Sequence, residues 1–332
     1  MTLMSSMIMI ISTIMALSSS NWLCLWVSME LNMFSFLPIM LMTKTNMECE
    51  ATVKYFINQA VASAMMIMTS FMMWNKLNPM VAIMPMLLIL SILLKLGSSP
   101  CYIWFPSVMK ALSWSQSMIL ATWQKIAPMM IIIFNIKPLQ MFMVAVVLLN
   151  IFIGGWLGMN QTNMRSLLAY SSIAHMGWML APYSFNLTVS SSYYFYMYLI
   201  ITLPIFLIMT MYSMNTTTNT SLLMNMPLYM QLSFMLMVLS IAGLPPLSGF
   251  LPKLMIIFII SSYSNIILFL MLLMSLMSLY FYLNISFSIL MSMKQTYNKE
   301  SYSSMTYYSV MTTMMFTPAI LLLYAMTMLN KS

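Results

Sequence analysis

Lys95-Leu96-Gly97-Ser98-Ser99-Pro100-Cys101-Tyr102-Ile103-Trp104-Phe105-Pro106 interrupts a hydrophobic segment. Glycine and proline stop a helix in the middle of an apolar run, because glycine frees the backbone and proline removes an N–H donor. A lysine stands at the stop. The same punctuation returns at Gly243, Pro246 and Pro252, followed at once by Lys253. In both places one proline follows the glycine by three positions and another by nine, and the copies lie 146 positions apart. Two Gly/Pro-interrupted hydrophobic segments at corresponding places in two halves point to the working site of a transporter fold.

Outward from the breaks, the composition sets the class. Hydrophobic residues make up 62% of the 332 and charged residues 5%, against the roughly 25% charge of an ordinary soluble domain. Such a chain belongs in lipid, where only helices or closed barrels satisfy every backbone polar group. Its apolar runs are long and continuous rather than short and alternating, so helices are expected. The net charge of +8 is spread along the chain without a Lys/Arg cluster, which excludes a nucleic-acid footprint. Cys24, Cys49 and Cys101 have no CxxC or Cys/His spacing, so no zinc or iron–sulfur site is expected. The 49 methionines have no spacing that converges on a metal and read as apolar side chains. Their excess fits an animal mitochondrial genome, which reads an A-rich isoleucine codon as methionine. The first 29 residues carry no charged side chain. The N-terminus is therefore expected to be a first transmembrane helix, not a transit or signal peptide.

The expected fold is an all-α polytopic membrane protein with about eleven transmembrane helices, in one domain over 1–332. The apolar segments are 3–20, 22–42, 55–74, 80–96 with a broken continuation to 113, 115–134, 140–157, 166–181, 190–213, 229–262 as two half-helices, 265–290, and 306–329. Polar links fall between them, including Thr43 to Lys54 and Asn215 to Asn225. Repeat halves are expected at 1–134 and 140–290, with 306–329 as a C-terminal helix. With the N-terminus on one side, its loops carry Lys44, Lys54, Lys110, Arg165, Lys294 and Lys299, and the far side carries Lys76, Lys137 and Lys331. The richer side is the matrix or cytoplasm, leaving the C-terminus opposite. The two broken helices then run in opposite directions, so the repeats are inverted.

Five ionisable residues fall inside spans: Glu30, Lys95, Lys125, His175 and Lys253. A lysine at the centre of a bilayer costs about 2.5–3.5 kcal/mol, so these groups are expected to face one another or water. The plainer reading is that they only glue the bundle or snorkel, and for His175 that it is a neutral core histidine. The sharper one is a proton path, since a lysine that exchanges partners changes its proton affinity. Gln124 beside Lys125, Pro128 in the same helix, Tyr170-Ser171-Ser172 before His175, and Ser248 in the second break suit a water-lined passage. Glu48, Glu50 and Lys54 read as a solvated face, with Glu50 and Lys54 at i,i+4 spacing.

The stretches that carry these charges resemble one family. They are Met29-Glu30-Leu31-Asn32, Lys95-Leu96-Gly97 with Pro100 and Trp104-Phe105-Pro106, and Thr122-Trp123-Gln124-Lys125-Ile126-Ala127-Pro128. To these are added Tyr170 to Trp178, Gly243-Leu244-Pro245-Pro246, and Gly249-Phe250-Leu251-Pro252-Lys253. Together they resemble the antiporter-like membrane subunits of respiratory complex I, the mitochondrial NADH:ubiquinone oxidoreductase, of the animal chain-2 type. The resemblance implies a carboxylate–lysine pair at Glu30 and Lys95, a central lysine at Lys125, a distal lysine at Lys253, and a further relay candidate at His175. Gly97, Pro100, Pro106, Gly243, Pro246 and Pro252 would build the two broken helices. It implies no cofactor in this chain; NADH, FMN, iron–sulfur clusters and ubiquinone would belong to partner subunits. The partners implied are other complex I membrane subunits, including neighbouring antiporter-like chains, in the inner mitochondrial membrane. The N-terminus would then face the matrix and the C-terminus the intermembrane space. The family usually carries Phe-His after Pro100, where this chain has Cys101-Tyr102, so no proton-carrying role attaches to Tyr102. The residues alone also permit a free-standing cation/proton antiporter of related fold, or a structural subunit whose charges only join helices.

Overall fold

The structure is a computed structural model that describes residues 2–42, 45–74, 83–212, 228–245 and 247–296. Pro246, the 215–225 link and the expected helix at 306–329 lie outside the described residues. The described chain is helical: α1 (Thr2–Ser18), α2 (Trp22–Met40), α3 (Asn46–Trp74), α4 (Met84–Leu96), α5 (Trp104–Ala111), α6 (Trp114–Ala121) and α7 (Trp123–Asn135). Then come α8 (Gln140–Met159), α9 (Met164–Ser184), α10 (Thr188–Tyr212), α11 (Leu228–Ala242), α12 (Phe250–Ser261) and α13 (Asn265–Thr296). Six stretches within it are long and apolar enough to cross a membrane, among them Trp22–Met40, Gln140–Met159 and Asn265–Met291. Large apolar side chains stand on the outside, such as Met141, Ile266 and Phe258. In water such a surface would be a liability; in lipid it is the contact face.

The helix that covers the expected segment 166–181 is the most enclosed. Nearly every residue of α9 is buried, because it packs against α5, α6, α8, α10, α12 and α13. Surrounded by protein, it can carry His175 and a run of serines without meeting lipid. The α8–α9 contact is backbone to backbone. A Cβ added at Gly154 would come within 2.6 Å of Ala174 N and Tyr170 O, and one at Gly177 within 2.5 Å of Ile151. Small residues that let helices touch in this way are the membrane substitute for hydrophobic driving force.

At both breaks the described helix ends share one geometry. α4 ends at Leu96 and α11 at Ala242, and the second half-helices begin at Trp104 and Phe250, so the sequence offset is kept at both edges. Each first half-helix is closed by a left-handed glycine, Gly97 at φ 67° and Gly243 at φ 79°. The closing hydrogen bonds form a Schellman motif in both. Ser98 N–H donates to Leu93 O (3.1 Å) and Gly97 N–H to Leu94 O (3.1 Å); Leu244 N–H donates to Leu239 O (3.4 Å) and Gly243 N–H to Ser240 O (3.0 Å). Pro106 and Pro252 each occupy the third position of a second half-helix, in the first turn, where a missing N–H costs no helical bond.

Two expectations are corrected. They concern the link before the third helix and Glu48; the segment 115–134 does fall within one membrane-length stretch, Trp114–Asn135, with an irregular turn at Thr122 (φ −114°, ψ −70°) inside it. The polar link from Thr43 to Lys54 is mostly helix, since α3 already begins at Asn46. Thr45 Oγ accepts the Glu48 N–H at 3.3 Å, a side-chain cap on the new helix. Glu50 and Lys54 do pair on its exposed face, at 2.5 Å. Glu48 is not solvated, being 3% exposed.

Candidate functional site

The site grows from the two breaks. At the first, α4 brings Lys95 inward in its last turn, 8% exposed. Neutral side chains also donate to the carbonyls of this last turn: Trp104 Nε1 to Leu94 O (3.0 Å), which already accepts the Gly97 N–H, and Gln59 Nε2 to Lys95 O (3.1 Å). Ser99 N–H donates to Asn150 Oδ1 on α8 at 2.6 Å, which fastens the loop. Beside this break lies a cavity enclosing about 380 Å³ of space, part of it open to solvent, lined by Lys95, Lys125, Gln59, Gln124, Tyr55 and Asn32 among others. Gln124 Nε2 donates to Asn32 Oδ1 (3.2 Å), and Tyr55 O–H to Gln124 Oε1 (3.5 Å), so the wall is a connected polar chain.

At the second break the lysine closes the helix end itself. Lys253, 8% exposed on the first turn of α12, reaches back to donate from Nζ to Ala242 O at 2.8 Å. A cation is favoured there because the carbonyls at a helix C-terminus carry partial negative charge. The side chain lies across Gly243: a Cβ at that position would meet Lys253 Nζ at 2.7 Å. The ammonium also stands 5.9 Å from the Trp178 ring centre. A second cavity of about 250 Å³, again partly open, is lined by Ser240, Gly249 and Pro252 of this break and by His175, Tyr194 and Tyr198.

Lys125 sits between the two. It is 3% exposed, and its ammonium lies 4.7 Å from the Phe105 ring centre and 5.6 Å from that of Tyr198. Contacts of this kind are worth about 2 kcal/mol when desolvated. His175 continues the row: its ring centre is 5.5 Å from that of Tyr198, and Nδ1 is 3.0 Å from Tyr194 O–H. Glu30, on α2, is half-buried and lines neither cavity. Among the described residues the one ion pair is Glu50–Lys54, so Glu30 and Lys95 are not in direct contact.

The structure thus brings Lys95 and Lys125 to one cavity, His175 to the other, and Lys253 to the carbonyl end of α11. Ser171 and Ser172 donate to Leu168 O and Ala169 O of their own helix, and Ser172 also hydrogen-bonds the side chain of Tyr198 in this row, as Ser171 does that of Tyr282. Sequence reasoning missed Tyr55, Gln59, Tyr194 and Tyr198. A signal for the last two was present: Tyr194 and Tyr198 are four apart in a membrane-length helix, hence on one face, and a buried tyrosine seeks a polar partner.

Residues 19–278 match the family described as "NADH:quinone oxidoreductase/Mrp antiporter, TM". The chain is 43% identical over 286 residues to NADH-ubiquinone oxidoreductase chain 2 of Lumbricus terrestris, covering 86% of this chain and 85% of that one. Among solved structures it superposes on a chain of the respiratory complex I of Thermus thermophilus with a TM-score of 0.78, at 22% identity, covering 85% of this chain and 69% of that one. It superposes on a chain of the membrane-bound sulfane sulfur reductase, an archaeal respiratory complex, with a TM-score of 0.82, at 18% identity, covering 98% and 73%. At those identities the structural likeness speaks to fold, whereas the sequence matches speak to family. The chain belongs to the NADH-ubiquinone oxidoreductase chain 2 family, the antiporter-like membrane subunits of complex I.

Proposed function

We propose that this chain, as a membrane subunit of NADH:ubiquinone oxidoreductase, passes protons across the inner mitochondrial membrane along Glu30, Lys95, Lys125 and Lys253, with His175 on the same row. The observation that carries the reading is Lys125. It is 3% exposed, has no carboxylate within ion-pair distance among the described residues, and stands where the cavity holding Lys95 gives way to the side chains of the cavity holding His175. A buried lysine without a counter-ion is costly, and one that faces water-sized space on a path between like groups can serve as a proton carrier.

In this reading a change arriving from neighbouring antiporter-like subunits alters the electrostatic hold of Glu30 on Lys95. That shifts the proton affinity of Lys95, then of Lys125 and Lys253, each through loss or gain of a charged neighbour. Eleven spans, halves 1–134 and 140–290 related by inversion, and a C-terminal helix at 306–329 complete the architecture. The N-terminus faces the matrix and the C-terminus the intermembrane space. NADH, FMN, iron–sulfur clusters and ubiquinone act in partner subunits. The repeated break geometry supports the two-halves arrangement, and the chain-2 relative favours an assembled complex over a free-standing antiporter.

The test is replacement in the assembled complex, with NADH oxidation and proton pumping followed together. Lys125→Met and Glu30→Gln are expected to abolish or sharply reduce pumping while assembly is kept. Wild-type pumping in correctly assembled variants overturns the assigned roles. The purely structural alternative predicts that Glu30→Gln combined with Lys95→Met leaves activity intact.

A further inference from the structure

We propose that Tyr198 is a positioning residue of the relay, whose ring separates the two cavities and holds the Lys125 ammonium at their boundary. The inference rests on the relay reading but concerns a residue that the relay does not require.

Lys125 and Phe105 line the first cavity and Tyr198 and His175 the second. The Tyr198 ring is thus neighbour to both, with the ammonium 5.6 Å and the His175 ring centre 5.5 Å from its own centre. Phe105 presents a second face to the same ammonium at 4.7 Å. Two aromatic faces on a buried cation hold it through the ring quadrupole, and that attraction needs the positive charge. The ring is itself held. Its hydroxyl hydrogen-bonds Ser172 of α9, and Tyr194, one turn earlier on α10, bonds His175 through its own hydroxyl at 3.0 Å. Tyr198 is 5% exposed, so its bulk fills the boundary rather than standing in open space. What does the work is the π face and volume of the ring, with the hydroxyl as a secondary anchor.

The experiment uses the assembled complex in sealed proteoliposomes, with two readouts: decay of an imposed pH gradient in the inhibited enzyme, and protons pumped per NADH in the active one. Tyr198→Phe keeps the ring and is expected to match wild type in both. Tyr198→Leu removes the π face and part of the volume; it is expected to speed gradient decay several-fold and to lower the pumped ratio at near-normal NADH oxidation. Tyr198→Met keeps length and apolarity without a π face, and serves if the leucine variant fails to assemble; a leak and a lower ratio are expected of it too. A leucine or methionine variant as tight and as well coupled as wild type overturns the proposal. So does a phenylalanine variant that leaks like leucine. The leak is read with turnover blocked, so it stands apart from the relay: wild-type pumping by Lys125→Met removes the relay and leaves the leak measurement to judge Tyr198.

Discussion

The two breaks share their helix-end geometry and differ in which side chains donate to it. In both, a left-handed glycine ends the first half-helix and the second begins seven residues later. At the first break the Leu94 and Lys95 carbonyls accept from neutral donors, an indole and an amide, and the loop is tied to α8 through Asn150. At the second the donor is a lysine ammonium, lying over the glycine. A neutral closure is indifferent to protonation. A charged one senses it, because the favourable interaction with a helix C-terminus belongs to the cation. One device thus serves as a fixed socket in one half and as a charge-dependent latch in the other.

The same substitution at both glycines tests that contrast. Gly97→Ala would place a Cβ 2.6 Å from Phe105 Cβ, an atom anchored to the backbone, on a residue already at positive φ. Strain and overpacking together predict a loss of about 3 kcal/mol or more, read as little assembled complex on native gels. Gly243→Ala meets instead the far end of the Lys253 side chain, which can swing away. Its stability cost is the backbone alone, about 1–2 kcal/mol, so assembly largely survives while pumping falls as Lys253 loses Ala242 O. Equal assembly defects at both sites would break the comparison. Lys253→Met, which removes a buried charge and keeps the volume, is expected to shift stability by no more than about 1 kcal/mol in either direction, yet to lower protons pumped per NADH. Smallest is Trp104→Phe: it forfeits one neutral hydrogen bond, about 1 kcal/mol, lowers the melting temperature slightly and leaves pumping unchanged.

The breaks were readable in the sequence because glycine and proline act through the local backbone. Gly97, Gly243, Pro106 and Pro252 do in the structure what their chemistry dictates anywhere. Lys95, Lys125 and Lys253 were legible as residues that lipid would not accept, and all three are buried in protein. The irregular turn at Thr122 was not legible, since threonine carries no breaking signal. Glu48 read as solvated because its neighbours are polar. Its burial depends on which face of α3 turns inward, and charge spacing alone does not decide that. Tyr55 and Gln59 were missed for a related reason: their roles come from the helices opposite them, Gln124 of α7 and the Lys95 carbonyl of α4.

The glycine contact between α8 and α9 has a mechanical consequence. With no room for a methyl group at Gly154 or Gly177, the two helices are locked along their length. α8 grips the first break through Asn150, and α9 carries His175 and Trp178 to the second cavity and to Lys253. The pair acts as a splint between the two breaks. Under the proposed relay, charge and water would move along the row over a frame that holds its length.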